Sequence, residues 1–321
     1  MSTKHYDVIV IGGGPSGMMA SGRASEQGKR VLLVEKNKVL GKKLSLTSGG
    51  RCNILNAEED PKKLIENYGD SAKFLYSTFA KFGMKETRKF FENKGINIAV
   101  EARNRAFPES QKATDVTNCM KKYVTDNHVE LKMNTKVLGF KIEKEKIIGI
   151  KTNDGLYTAD SFVLATGGTS YKETGSTGEG LSWLKGLGHI VYKSNPNIVA
   201  LKVAESWVKN LSGNTLSFMK ITFGTDRAKS EGRFSRIGKI LFTHFGISGP
   251  LILNSSYEVK KMLGNGKVKA SIDMYPDTDI KTLQNRVLDV FNKNKNKILK
   301  NVVKSLQQIN DATRLLQCAV S

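Results

Sequence analysis

Residues 6–35 read YDVIVIGGGPSGMMASGRASEQGKRVLLVE, and the reading of this stretch decides the fold. Residues 6–11 are a short apolar run of strand type. Gly12-Gly13-Gly14-Pro15-Ser16-Gly17 follows at once. Residues 18–27 are compatible with a helix, and residues 30–35 form a second apolar run that ends in an acid. Strand, glycine turn, helix, strand and acid make a βαβ unit with the G-x-G-x-x-G spacing of dinucleotide-binding folds. Gly12 permits the tight turn. Gly14 lets a pyrophosphate approach the backbone, and Gly17 lets the helix pack closely on the strand. The free N–H groups and the positive end of the helix then face the phosphates.

Glu35 lies 23 residues beyond Gly12. At the end of the second strand its carboxylate is placed to accept both ribose hydroxyls of an adenosine. It also disfavours a 2′-phosphate, and therefore NADP, in this site. Without Glu35 the same glycines would read equally as a turn with no ligand. The fingerprint alone does not separate FAD from NAD.

With 321 residues the chain is long enough to bury a substantial core and to hold more than one domain. No apolar run reaches the length of a membrane span, and residues 8–11 are too short for the core of a signal peptide. Only three cysteines occur (Cys52, Cys119 and Cys318), with no C-x-x-C pair and no cluster of metal-ligand spacing. That usage fits a reducing cytoplasm and speaks against a disulfide framework or a structural zinc. The formal charge of +21 suits a polyanionic partner such as RNA, and compositional bias toward lysine explains it equally well.

Residues 41–53 (GKKLSLTSGGRCN) have the small and glycine residues of a loop lying against a cofactor. Arg51 has the fork geometry to pair with a phosphate. Cys52 would have a lowered thiol pKa if the two side chains converge, and is otherwise a small buried residue. Helical spacing recurs over 71–82, 84–94 and 113–125, with a short strand or loop at 103–108. Alternating strands at 129–131, 135–142, 146–152 and 156–159 suggest a small β-meander inserted as a crossover. Residues 160–168 (DSFVLATGG) then read as a parallel strand buried on both faces, with its glycines at the ligand-binding edge. Together with the first βαβ unit this arrangement favours FAD over NAD. Residues 175–178 cap a helix running to about Leu187.

From 196 to 275 the texture changes to short β-like runs at 198–203, 219–224, 239–242 and 267–273. Within it, residues 238–253 (GKILFTHFGISGPLIL) read as an apolar, glycine-containing loop around Thr243, His244 and Ser248. His244 is a candidate proton donor or a phosphate or substrate contact, against the commoner reading of a hydrogen-bonded structural residue. Residues 279–291 and 295–306 are helical.

Five motifs, taken in order, carry a resemblance to a known family: GGGPSG with Glu35; GKKLxxTSGGRCN at 41–53; RxFPESxKA at 105–113; LATGGxSYxxTGSTG at 164–178; and LFTHFGISGP at 241–250. The chain resembles the YhiN/BaiN-type flavoproteins, bacterial NAD(P)/FAD-dependent oxidoreductases, from about Tyr6 to Leu306. The resemblance implies an α/β fold: a Rossmann-like FAD-binding domain of the two-dinucleotide type with an inserted β-barrel and a partial helical subdomain. Its expected boundaries are 1–195 for the first part of the FAD domain, 196–275 for the barrel-like domain and 276–306 for the start of the helical insert. Residues 307–321 form an atypical tail. A glycine-rich closing segment that completes the FAD domain and covers the flavin in the family is not found, so the chain reads as truncated.

The resemblance further implies FAD held by Gly12, Gly13, Gly14, Pro15, Ser16, Gly17, Glu35, Lys36, Lys43, Ser48, Gly49, Arg51, Cys52, Asn53, Val137, Thr166 and Gly167. NAD(P)H is the expected transient reductant, and Cys52 and His244 are the candidate catalytic acids. The expected reaction is reduction of a C=C bond. The favoured substrate is a uridine in ribosomal RNA, and the alternatives are a small unsaturated molecule such as a bile-acid steroid or an inactive truncated flavoprotein.

Overall fold

Two apolar runs and the helix between them set the centre of the first sheet. His5–Ile11 (β1) leads through the glycine turn into Pro15–Glu26 (α1), and Val31–Val34 (β2) is buried at every position. The computed structural model describes residues 4–192, 197–225 and 232–296, and the backbone of 316–320. The chain forms two compact units, Met1–Lys193 and Ser194–Ser321.

In the first unit, short 3-10 turns over Leu44–Gly50 precede Leu55–Asn56 (β3), Pro61–Glu66 (α2), Ala72–Lys81 (α3) and Met84–Glu92 (α4). Then come Ile98–Glu101 (β4), Arg105–Pro108 (β5), Ala113–Asp126 (α5), Glu130–Lys132 (β6), Val137–Glu143 (β7), Lys146–Thr152 (β8), Gly155–Leu164 (β9) and Glu179–Gly186 (α6). The main sheet has the order β6-β2-β1-β9-β8-β7, and β3-β5-β4 make a small antiparallel sheet. Strands β6, β2, β1 and β9 run parallel. Val10, Met18 and Leu33 pack with Val116, Met120 and Val124 of α5 on one face. Tyr6, Ile9, Leu32, Val34, Val137 and Ile150 fill the other.

Three expectations change here. The meander comprises β7, β8 and β9, which pair antiparallel in sequence order and join the main sheet through β9, whereas the run at 129–131 is not part of it but is β6, paired in parallel with β2. Residues 156–159 and 160–164 are one continuous strand, because Asp160 faces outward and bonds His5 Nε2 at 3.1 Å without interrupting the backbone ladder. That strand is only half-buried at Phe162, Val163 and Leu164. Strand β8 pairs it only as far as Thr158, so beyond that point β1 is its one ladder neighbour among the described residues.

The second unit contains Leu201–Lys202 (β10), Trp207–Asn210 (α7), Thr215–Thr225 (β11), Arg233–Thr243 (β12), Gly246–Ser248 (β13), Pro250–Leu263 (α8), Val268–Asp273 (β14), Ile280–Lys293 (α9) and Leu316–Val320 (β15). Where a barrel is expected, the described strands form an open antiparallel sheet ordered β10-β13-β12-β11-β14-β15, with Leu251, Ile252 and Val259 of α8 packed on its apolar face. The backbone of 316–320, expected as an atypical tail, pairs with β14.

Residues 238–253 are not a loop. Thr243 Oγ1 both donates to Gly246 O and accepts from Gly246 N, which closes a tight turn between β12 and β13. Gly249, at φ +97°, then redirects the chain, and Pro250 opens α8 at a position where its missing N–H costs nothing. The strand expected over 198–203 shrinks to Leu201–Lys202, while Val199 N–H donates to Ser256 Oγ of α8. The helix expected over 295–306 falls almost wholly outside the described residues. No described helix is long and apolar enough to cross a membrane.

Candidate dinucleotide cleft

The turn after β1 and the loop after β9 meet at one edge of the main sheet and open a cavity of about 240 Å³. It lies at the carboxyl ends of parallel strands, where open α/β sheets take ligands. Gly12, at φ +108°, donates its N–H to Val34 O at 2.8 Å. A Cβ there would stand 2.5 Å from Ala165 O, and one on Gly17 would stand 1.8 Å from Gly12 O. Both glycines are therefore demanded by packing within the protein. Gly14 differs: a Cβ there would meet nothing within 4 Å, although the residue lines the cavity. Gly14 also caps α1 with no side-chain hydrogen bond, and the first turn holds no acid. The N–H groups of that turn and the positive end of the helix are thus left for an anion. The space at Gly14 fits the backbone approach of a pyrophosphate.

Glu35 is 7% exposed and occupied on both oxygens. Oε2 accepts from Gly13 N–H at 2.6 Å, and Oε1 accepts from both Asn37 N–H and Asn37 Nδ2, each at 2.7 Å. Each carboxylate oxygen has two acceptor positions, so one position remains, on Oε2. The expectation that Glu35 receives two ribose hydroxyls is reduced to one. The sequence carries no signal for Asn37, because an amide two residues past a strand has no distinctive spacing.

Pro15, Ser16, Val137, Thr166 and Gly167 line the cavity. Lys36 and Lys43 also line it, but their ammonium groups are turned to protein partners. Lys36 Nζ donates to Glu179 Oε2 at 2.7 Å and to Thr177 Oγ1 at 3.1 Å. The hydrogen bond from Lys36, with the nearby charges of Lys36 and Lys136, holds the Glu179 carboxyl below its usual range despite partial burial. Lys43 Nζ donates to Ser170 O and Ser176 Oγ, both at 2.6 Å. Lys42 Nζ donates to Glu173 O, and Asn37 Nδ2 to Thr174 O. The side chains of Lys36, Asn37, Lys42 and Lys43 thus fasten residues 170–179 as a wall of the cleft.

Ser48, Gly49, Arg51, Cys52 and Asn53 do not line the cavity. Ser48, Gly49 and Cys52 hold left-handed φ values of 52°, 66° and 60°. Arg51 is paired with Glu101, donates from Nε to Gln111 Oε1 at 2.7 Å, and lies 4.1 Å from the centre of the Phe107 ring. Its guanidinium is therefore turned to a carboxylate rather than to a phosphate. Cys52 is 2% exposed in the core beside Val10 and Met18, and burial pushes its thiol pKa up, against a smaller lowering by its bond to Thr47. Of the two readings of Cys52, the structure shows the small buried residue, and no lowering of its thiol by Arg51 accompanies it. In the flipped orientation the Asn53 amide donates to Leu55 O and Ala106 O at 3.1 Å, tying the segment to β3 and β5. His244 belongs to the second unit, exposed in the turn between β12 and β13, with its ring edge-on to Phe245.

The chain is similar in sequence and in fold to known proteins. The chain is 27% identical over 274 residues to the 3-dehydro-bile acid delta(4,6)-reductase of Clostridium scindens, a match covering 84% of this chain and 64% of that protein. It is 24% identical over 300 residues to the ribosomal RNA dihydrouridine synthase of Escherichia coli, covering 94% and 70%. The chain thus spans about two thirds of the length of these curated relatives. Among solved structures, the open conformation of a flavocytochrome c3 fumarate reductase superposes with a TM-score of 0.51 at 14% identity, covering 99% of this chain and 66% of that one. The 3-ketosteroid-delta4-(5alpha)-dehydrogenase of Rhodococcus jostii also gives 0.51, at 12% identity, covering 88% and 68%. These two likenesses concern the fold. The family described as HI0933-like protein Rossmann domain matches residues 6–264, from β1 through α8. With the glycine turn, its acid and the β9 loop all inside that span, the chain belongs to the HI0933-like Rossmann-domain family.

Proposed function

We propose that the chain is the nucleotide-binding part of an FAD-dependent oxidoreductase that uses NAD(P)H to reduce a C=C bond, with a uridine in ribosomal RNA as the favoured acceptor. The observation that carries the nucleotide reading is Gly14, a cradle open to ligand beside a helix start with no side-chain cap and a buried acid. When bound, FAD supplies a two-electron carrier between the nicotinamide and the acceptor. The first turn of α1 would hold the pyrophosphate, the free acceptor position on Glu35 Oε2 would take a ribose hydroxyl, and Val137, Thr166 and Gly167, which line the cavity, would stand around the nucleotide. Neither candidate acid lines the cavity: Cys52 is buried in the core, where burial raises its thiol pKa, and His244 lies exposed in the second unit.

The formal charge of +21 and the name of the Escherichia coli relative support an RNA acceptor. The Clostridium scindens relative supports the alternative, a small unsaturated steroid. The test is a titration of the purified chain with FAD, read by visible absorbance before and after gel filtration, followed by RNA and sterol binding at several salt concentrations. A retained flavin spectrum with steeply salt-dependent RNA binding is expected, since phosphate contacts release counterions. Salt-insensitive binding of a sterol alone moves the reading to the steroid. A colourless protein after gel filtration refutes FAD binding by this chain.

A further inference from the structure

The sheet of the second unit has two unlike faces. On one, Ile221, Phe223, Ile240, Phe242, Ala270 and Ile272 are buried in the core with α8. Side chains alternate along a strand, so the intervening residues stand on the other face. Lys202, Arg233, Ser235, Ile237, Lys239 and Lys269 there are exposed, and Lys220 is half-buried. The register places Lys220 opposite Ile237 on β12 and Asp273 on β14. Asp273 is the acid among these outward ladder positions, and its Oδ1 already accepts from Tyr275 N–H at 2.9 Å. The ladder also brings the hydroxyls of Thr222 and Ser235 to 2.7 Å of each other.

A bulge interrupts this face. Pairing shifts between Leu216 and Met219, which sets Ser217 and Phe218 against Lys239. Phe218 has φ +57° and is 78% exposed. Left-handed backbone is costly for a bulky L-residue, and here no burial of the ring offsets the cost. Bulges of this kind re-aim a side chain. The result is an aromatic ring displayed beside a lysine, with Ile237 at 53% exposure on the neighbouring strand.

We propose that this face binds single-stranded RNA, with a base stacked on Phe218 and phosphates taken by Lys239, Lys220 and Arg233. The proposal extends the RNA reading above and supplies it with a surface. An unstacked base offers a ring face to Phe218, which a paired duplex does not, and the cations complement the backbone charge.

The test is fluorescence anisotropy of a labelled oligouridylate of about 12 nucleotides, within the usual site size of single-strand-binding sheets, with the full chain, Phe218→Ser, and Lys239→Gln. Circular dichroism melting checks that each variant folds, and Phe218→Gly serves if the serine variant does not. Phe218→Ser is expected to weaken binding about 5- to 150-fold, the range of one stacked base. Lys239→Gln is expected to reduce the slope of log K against log salt by about 0.7, one phosphate on a single strand. Wild-type binding that both variants retain unchanged overturns this face while leaving the RNA reading intact. No binding by the wild-type chain overturns both. A wild-type dimer in sedimentation that Phe218→Ser dissociates, with RNA affinity unaltered, assigns the face to a second copy and overturns the proposal.

Discussion

Glu35 Oε2 accepts a hydrogen bond from the N–H of Gly13 at 2.6 Å, so the acid at the end of β2 clamps the glycine turn at the end of β1. The carboxylate is therefore a structural part of the turn before any nucleotide reaches it. Both ends of the bond are buried, and the same carboxylate gathers two donors from Asn37.

Glu35→Ala leaves the buried Gly13 N–H without an acceptor, at a cost of about 1–3 kcal/mol. For a chain of this size that is a fall in melting temperature of roughly 2–10 °C. Glu35→Gln keeps one carbonyl acceptor and should fall between the alanine variant and the wild type. Calorimetry without nucleotide separates this effect from ligand loss: an Ala variant melting with the wild type would remove the clamp from the account.

Gly14 and Gly17 belong to one motif and should fail differently. A Cβ on Gly17 would sit 1.8 Å from Gly12 O, a backbone atom that cannot step aside. Gly17→Ala should lose the fold of the first unit. A Cβ on Gly14 meets nothing within 4 Å, so Gly14→Ala should melt within about 0.5 kcal/mol of the wild type, as an unstrained substitution does. It should nevertheless weaken FAD binding at least about tenfold, a loss of about 1.4 kcal/mol. Equal FAD affinity in Gly14→Ala and wild type would place the pyrophosphate elsewhere.

Contrasts of this kind mark what the sequence makes legible. The βαβ unit is readable because strand, turn, helix and acid are local and their spacing is fixed by contact geometry. Partnerships across long separations are not. Arg51 has the residue type of a phosphate ligand, yet its carboxylate partner Glu101 arrives from β4. Lys43 looks like a cofactor lysine until the loop after β9 brings Ser176 to it, 133 residues away. The helix α8 was hidden because its first residues follow an apolar, glycine-rich run, so Pro250 reads as a loop residue rather than as the first helical position. The left-handed Phe218 has no sequence signature, since nothing in the residue type announces a bulge.

Cys52 gives a prediction in pH. Burial raises its thiol pKa in the folded chain above the unfolded value, which is about 8.5 for a free cysteine. Its neutral form then contributes stability that is full below that value and is lost as pH rises through the folded pKa, because only the unfolded state releases the proton early. Urea unfolding at pH 7 and pH 10 should show a larger loss for the wild type than for Cys52→Ala. In the native state Cys52 should also resist a thiol reagent at pH 8 and react only as the chain opens. Rapid native labelling at Cys52 would contradict its placement in the core.

Lys43 decides whether the lysines beside the cleft are wall or ligand. Its ammonium sits at 2.6 Å from both Ser170 O and Ser176 Oγ, and Lys42 and Asn37 hold the same loop at Glu173 O and Thr174 O. Hydrogen bonds to a charged group contribute about 1.5–3 kcal/mol, so Lys43→Met should raise amide exchange across 170–178 at least about tenfold. Exchange in β1 and β2 should be unchanged, since neither depends on Lys43. If Lys43 serves as wall, FAD added to the wild type slows exchange in the loop further, because the lysine stays with Ser176 while the cavity fills. If instead it turns to the pyrophosphate, FAD speeds exchange at 170–176 while Gly12–Gly14 becomes protected. The two signs are opposite in one hydrogen-exchange experiment, and the geometry of the Lys43–Ser176 bond predicts the first.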